Sequence, residues 1–143
     1  EAGIPAEPAM SHSVTIKRLT KRPQFLFVRQ GARTARGAVL IEARRRSEDG
    51  PSGLGITASK KVGNAVVRNR ARRRLREAAR TLLPQLGLAG VDYVFVARQT
   101  TPDAPWEGLL DDVGNALIRL RADLENARGR SSRGMRGAPT ESD

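Results

Sequence analysis

Apolar residues in two segments of the chain recur at the spacing of an α-helix. In the first segment the offsets between successive apolar positions are 4, 4, 3 and 4 residues, which places them on one stripe of a helix. This stripe comprises Val67, Ala71, Leu75, Ala78 and Leu82. Pro84 and Gly87 follow it and predict where the helix ends. The second stripe predicts a C-terminal amphipathic helix and comprises Leu109, Leu110, Val113, Leu117, Leu120 and Leu124.

Three further segments have the pattern of β-strands, and one has that of a short helix. GAVLIEARR and LGITAS are β-rich runs on either side of the turn cluster RRSEDGPSG, so they predict a β-hairpin with a long loop. VDYVFVAR is a continuous apolar run of strand length. Pro23 and Gly31 bracket an apolar segment, which predicts a helix from Pro23 to Gln30. The predicted element order is therefore α-β-β-α-β-α.

This order, in a chain of 143 residues, predicts one domain of mixed α/β (α+β) class over residues 15–125. The segment 1–14 is polar and lacks periodicity, so we expect a flexible N-terminal arm. The segment 126–143 is rich in Gly, Ser and Arg, and we expect a disordered basic tail.

Charge narrows the class of partner. The formal net charge is +11, the isoelectric point is about 11.5, and 22 of the 26 basic residues are Arg. Such a balance favours a polyanion, nucleic acid before membrane, and guanidinium groups meet phosphate in a bidentate manner. We expect no protein partner and no membrane association.

Several kinds of chemistry are excluded or disfavoured. The chain has no Cys, which rules out disulfides, thiolate metal sites and cysteine nucleophiles, and its one histidine, His12, lies in the predicted arm. No apolar run approaches the roughly 20 residues that span a bilayer, and no leader opens the chain, so we expect a cytoplasmic protein. Asp111 and Asp112 are adjacent and point about 100° apart on a helix, which fits a solvated face better than a metal site.

The strongest signal is KKVGNAVVRNRARRRLREAAR, residues 60–80, which has nine basic residues and one acid, Glu77. A solvated helix face is the plain interpretation, yet such faces usually mix charges to gain ion pairs one turn apart. A helix that reads DNA is less favoured, because neither a helix-turn-helix pattern nor zinc ligands accompany it. Structured RNA, which proteins recognise by shape and phosphate, fits best.

The same residues carry a resemblance to a known family. SKKVGNAVVRNRARRRLREAAR is similar to the signature of the bacterial ribonuclease P protein component, with Arg68, Asn69 and Arg70 as its RNR element. An RL pair followed by Phe25, then GITAS and DYVFVAR, agree with the family in order and spacing. The resemblance covers roughly residues 17–121. It implies a sandwich with a left-handed βαβ crossover, similar to the second domain of ribosomal protein S5.

For function, the resemblance implies the protein subunit of ribonuclease P, which removes the 5′ leader of precursor tRNA. The catalytic RNA would perform the chemistry, so no protein residue is predicted to be catalytic, and Mg²⁺ is expected on the RNA. The helix that contains RNR would dock on that RNA. Its predicted contact residues are Lys60, Lys61, Asn64, Arg68, Asn69, Arg70, Arg72, Arg73 and Arg76.

A second implied surface, a cleft between the first helix and the sheet, would hold the single-stranded leader. Its predicted residues are Arg18, Lys21, Phe25, Ser59 and Arg98. Phe25 could stack a base or could be plain core. One turn later the family commonly has another aromatic, where this chain has Arg29, so Phe27 is a possible replacement.

Two rival functions remain open at this point. A general basic RNA-binding module, of ribosomal or nucleoid type, would bind nucleic acids without a role in catalysis. A self-sufficient nuclease would need acidic metal ligands or a suitable histidine, for which the sequence has no evident cluster.

Overall fold

The computed structural model describes the backbone of residues 13–141 and the side chains of residues 13–127. We number strands and helices in chain order. The strands are β1 (Ile16–Arg18), β2 (Ala32–Arg36), β3 (Val39–Arg45), β4 (Ser52–Thr57) and β5 (Val91–Ala97). The helices are α1 (Arg22–Arg29), α2 (Ala65–Leu86) and α3 (Trp106–Glu141), with a 3₁₀ turn at Lys60–Val62.

The five strands form one mixed sheet in the order β1-β4-β5-β3-β2. β4 is parallel to both β1 and β5, whereas β3 is antiparallel to both β5 and β2. This confirms the mixed α+β class. α2 connects the adjacent parallel strands β4 and β5, which form the βαβ unit for which the resemblance implies a left-handed crossover.

The predicted hairpin between GAVLIEARR and LGITAS is wrong, because β5 lies between β3 and β4. The loop after β3 is held against the start of β5: the backbone N–H groups of Arg46 and Ser47 donate to the Gly90 carbonyl at 2.7 and 3.1 Å. Arg46 also pairs with the buried carboxylate of Asp92 in β5. The chain therefore crosses the end of β5 before β4 begins.

Strands β1 and β2 were not predicted. Their sequences, IKR and ARTAR, are short and basic and lack an apolar alternation. Both lie at the edges of the sheet, where one strand partner is enough and charged side chains reach solvent. The hairpin partner of β3 is therefore β2, which is joined to it through a tight turn at Gly37, whose φ of 47° favours glycine.

Helix α1 matches its prediction with a shift of one residue. The Gln24 side-chain oxygen accepts the N–H groups of Thr20 and Lys21, each at 2.8 Å, which satisfies donors at the start of the helix. After the last turn, the Gly31 N–H donates to the Val28 carbonyl at 2.9 Å.

Helix α2 buries the predicted stripe at its centre. Ala71, Leu75 and Ala78 are fully buried. The predicted end at Gly87 is confirmed, since α2 ends at Leu86 with Gly87 as its C-cap, whereas Pro84 lies inside the last turn. A proline there removes only one helical hydrogen bond, and its carbonyl accepts the Val14 N–H at 2.8 Å.

The core lies between one face of the sheet and the two long helices. Its largest buried side chains include Tyr93 and Phe95 of β5, Leu75 of α2, and Leu109 and Leu117 of α3. Among the residues that the structure describes, the other face of the sheet is covered by α1 and a small cluster around Val28. Much of that second face is therefore accessible beside α1.

The structure describes only part of the two segments for which a flexible arm and a disordered tail were predicted. Residues 1–12 of the predicted arm lie outside the described residues. α3 continues through the segment 126–141, but its side chains from residue 128 onwards lie outside the described part, so the disordered tail stays a prediction. Among the described residues, no helix has the length and apolar character needed to cross a membrane.

Candidate RNA-binding surfaces

The residues just before α2 build the start of the helix. The Asn64 side-chain oxygen accepts the Val67 N–H at 3.0 Å and so caps α2, as the position before a helix favours. The Ser59 hydroxyl accepts the Lys61 N–H at 3.3 Å. Lys60 and Lys61 are exposed beside it. The two lysines thus present their charge at the helix start, while Asn64 and Ser59 have structural contacts.

The arginines of α2 that were predicted to contact RNA differ in the number of protein groups that their guanidinium groups contact. Arg73 is exposed, and no hydrogen bond or ion pair to it occurs among the described side chains. Arg70 lies 3.5 Å from the Asp103 carboxylate, with both side chains largely exposed, so the pair is weak. Arg72 donates to the Asn69 side-chain oxygen at 2.8 Å, which orients its guanidinium.

Arg68 is half-buried, and its Nε is the one enclosed side-chain polar atom without a partner among the described residues. Its backbone N–H donates to the Asn64 carbonyl at 2.8 Å. Burial of an unpaired donor costs free energy. We call the surface formed by Arg68, Arg70, Arg72 and Arg73 the RNR face.

Arg74 has a structural role instead. Its Nη1 donates to the carbonyls of Thr101 and Pro102 at 2.7 and 2.8 Å, and its Nη2 donates to the Ala104 carbonyl. One guanidinium thereby fixes the connection between β5 and α3. Sequence alone does not separate Arg74 from its basic neighbours, because the partners are backbone carbonyls about 30 residues away.

The open face of the sheet forms a groove of about 490 Å³ beside α1, which we call the α1 groove. Its apolar floor includes Leu40, Val94 and Val96. Its other lining residues include Phe25, Arg29, Arg33, Glu42, Ser59 and Arg72. The groove thus combines one aromatic ring, several guanidinium groups and an apolar floor, which are the elements that bind single-stranded nucleic acid.

Phe25 sits where this groove meets a second one. Its ring packs on Gly55 of β4 so closely that a Cβ there would come within 2.5 Å of the ring. The half-buried ring also lines a groove of about 610 Å³ along β1 and β4, which we call the edge groove. Arg18, Arg76 and Arg80 line the edge groove. Arg76, predicted for the catalytic RNA, therefore adjoins Arg18 and Phe25, predicted for the leader.

Two other predicted leader residues lie outside both grooves. Arg98 follows β5, where its N–H donates to the Thr101 hydroxyl at 2.8 Å and its guanidinium approaches the Gly37 carbonyl at 3.4 Å. Lys21 is exposed at the start of α1. Neither lines the α1 groove or the edge groove, and their part in leader binding stays a prediction.

Phe27 does not occupy the position of a second aromatic residue in the α1 groove. The Arg44 guanidinium lies 4.2 Å from the centre of its ring and donates to its carbonyl at 3.2 Å, whereas Phe27 does not line the α1 groove. Arg29 does line the groove, four residues after Phe25 and thus on the same side of α1.

Sequence reasoning missed Arg33 and Glu42 as groove residues. They lie opposite each other on β2 and β3, and Glu42 is only 6% exposed. Their neighbourhood becomes evident only from the register of β2, a strand that the apolar pattern did not indicate. Among the described residues, no three acidic or histidine side chains come close enough to hold a metal ion.

The family comparison decides the identity of this molecule. The family model described as Ribonuclease P matches residues 15–121, about three quarters of the chain. The chain belongs to the ribonuclease P protein family. Ribonuclease P protein components act as the protein subunit of an endoribonuclease in tRNA 5′ maturation, and that is the function of this chain.

The sequences of curated relatives align with this chain over most of their length. The ribonuclease P protein component of Caulobacter vibrioides is 49% identical over 128 residues, covering 89% of this chain and 86% of the relative. That of Ruegeria pomeroyi is 45% identical over 122 residues, covering 83% and 98%.

Solved structures agree in fold. The ribonuclease P protein from Thermotoga maritima is 26% identical, with a TM-score of 0.62, and the match covers 72% of this chain and 96% of that one. The Staphylococcus aureus protein is 27% identical, with a TM-score of 0.59, and covers 70% and 91%.

Proposed function

We propose that this ribonuclease P protein binds two RNA segments on adjoining surfaces. The RNR face, with Lys60 and Lys61 at its start, binds the catalytic RNA. The α1 groove, with Phe25 where it meets the edge groove, binds the single-stranded 5′ leader of precursor tRNA. The observation that carries this assignment is that a cluster of arginines and a groove with an aromatic ring lie side by side on one domain.

Two observations support the first assignment. Arg73 is exposed without a protein partner, and the exposed Arg70 has only a weak one. Arg72 is oriented by Asn69, which reduces the entropy that ordering its side chain would cost. Phosphate would satisfy these donors and offset the repulsion among like charges on one helix.

The second assignment is supported by the composition of the α1 groove. The leader is unpaired, so its bases can leave their stack and lie against Phe25, a contact worth on the order of 1 to 3 kcal/mol per base. Arg29 replaces an aromatic side chain of the family, and a guanidinium can also stack on a base. Arg33 would neutralise a leader phosphate in the groove, and Arg72 lies where the groove borders the RNR face.

The chemistry belongs to the RNA in this proposal. We place Mg²⁺ on RNA phosphates, and the protein neutralises charge between two RNAs that repel each other. We place the protein in the cytoplasm, because precursor tRNA is processed there in bacteria.

The experiment compares two phenylalanines of the same helix. Phe25→Ala is expected to weaken binding of precursor tRNA to the assembled holoenzyme, because a stacking platform is lost. Affinity of the protein for the catalytic RNA alone is expected to stay unchanged. Phe27→Ala is the matched control, since Phe27 contacts Arg44 and does not line the α1 groove.

Thermal unfolding of both variants shows whether either has lost its fold. If Phe27→Ala weakened substrate binding as much as Phe25→Ala, the effect would come from general damage to α1. If Phe25→Ala instead weakened binding of the catalytic RNA and spared the substrate, the two surfaces would be assigned the wrong way round.

A further inference from the structure

Trp106, the first residue of α3, is the one tryptophan of the chain and is unusually accessible. Its exposed fraction is 37%, whereas the other large aromatic residues of the core, Tyr93 and Phe95, are fully buried. A tryptophan at this position contributes little to the core that its neighbours Leu109 and Val113 already fill. Neither proposed RNA surface includes it.

The indole is held in place by a rigid support. The Arg74 guanidinium lies 5.7 Å from the ring centre, within reach of a cation–π contact. Arg74 is itself fixed by three backbone carbonyls in the connection that leads to Trp106. The ring is therefore preorganised, and a ligand that stacks on it would order little else on binding.

The surroundings of the indole are strongly basic. Trp106 lines a shallow groove of about 540 Å³, the Trp106 groove, together with Arg73, Arg74, Arg76 and Arg80. Glu77 is the one acid in this lining, and it pairs with Arg80 at 3.0 Å. Arg73 and Arg76 remain available to an anion. An accessible ring beside free guanidinium groups is the combination that binds an unstacked nucleotide.

We propose that an unpaired nucleobase of the catalytic RNA stacks on Trp106, while Arg73 contacts its phosphate. This rests on the proposed function and deepens it by naming the kind of RNA element that binds. A base inside a duplex is already stacked on its neighbours, so the nucleotide is bulged or lies in a loop.

The catalytic RNA is the source of this nucleotide, and not the leader. The Trp106 groove shares Arg73 with the RNR face. It shares no residue with the α1 groove, whereas it shares Arg76 and Arg80 with the edge groove.

Tryptophan emission tests this directly, because Trp106 is the only source of it in the chain. The full-length protein is titrated with catalytic RNA and, separately, with a leader oligonucleotide, while binding is followed independently by filter retention. Stacking is expected to quench the emission in step with binding of the catalytic RNA and to leave it unchanged with the leader. Equal quenching by the leader would overturn the assignment to the catalytic RNA.

Substitution provides the second measurement. Trp106→Ala is expected to raise the Kd for the catalytic RNA on the order of 5- to 150-fold, as loss of one stacked base implies, and Trp106→Phe is expected to recover part of the loss. Ile118→Ala is the control, since Ile118 is an exposed apolar side chain of the same helix at 56%. Full binding by Trp106→Ala, with emission of the wild type unquenched, would overturn the proposal and leave the proposed function intact.

Discussion

The arginines of the RNR face give a quantitative prediction. Replacing Arg70 and Arg73 with Gln removes two exposed charges and leaves shorter, neutral side chains that can still form hydrogen bonds. If each arginine neutralises one phosphate, the slope of log K against log salt concentration falls in magnitude by roughly 1.4 to 1.8, at about 0.7 to 0.9 per phosphate. Over a fourfold rise in salt, the wild-type affinity for catalytic RNA would then fall about 7- to 12-fold more than that of the variant.

The structure indicates that folding will be little affected. Arg73 has no partner among the described side chains, and the exposed pair of Arg70 with Asp103 is worth at most about 1 kcal/mol. A double variant of Arg119 and Arg121 is the matched control. Both lie on α3 and form pairs with acids one turn later, and their replacement by Gln changes the net charge by the same amount.

The assay is equilibrium binding to the catalytic RNA at a series of salt concentrations. The RNR variant is expected to show the smaller slope, and the control the wild-type slope. Equal reductions in the two variants would mean that only overall charge matters, and an unchanged slope in both would remove α2 from the interface.

Two predictions concern the fold itself. Burial raises the pKa of Tyr93 to about 12 from its ordinary value near 10, so its contribution to stability is complete below about pH 10 and is lost as the pH rises towards 12, at about 1.4 kcal/mol per pH unit. Because the chain has one Tyr, tyrosinate absorbance reports this group alone, and a midpoint near 10 in the folded protein would refute the prediction. Arg74→Lys keeps the charge but cannot reach three carbonyls at once, so urea unfolding is expected to show a loss of about 2 to 4 kcal/mol. Wild-type stability of that variant would contradict the structural role of Arg74.

Helical spacing predicted the two long helices well, because burial of one stripe decides where a helix packs. Leu75 and Leu117 are both fully buried as predicted. The strands were harder. A parallel crossover places β5 between β3 and β4. The apolar sequences of β3 and β4 do not indicate that β5 pairs with both. The edge strand β2 has no apolar alternation, so its pairing with β3 had no signal in the pattern.

For the candidate sites, the sequence indicated which residues to consider but not their contacts. The resemblance predicted both the RNA contacts of α2 and a leader cleft at Phe25, and both stay predictions. Neighbouring arginines have different contacts because of backbone groups distant in sequence. Arg74 donates to carbonyls, whereas Arg73 is exposed. Glu42 lies opposite Arg33 in the groove because β3 pairs with β2, a strand that was not predicted. Such contacts follow from the tertiary structure and have no local pattern.

The most direct test of the account is cleavage of a precursor tRNA by a bacterial ribonuclease P RNA at low magnesium concentration, with and without this protein. The account predicts that the protein restores cleavage at the mature 5′ end, because its cations replace Mg²⁺ in neutralising the two RNAs. Binding to the catalytic RNA without any stimulation of cleavage would contradict it and would favour a general RNA-binding module.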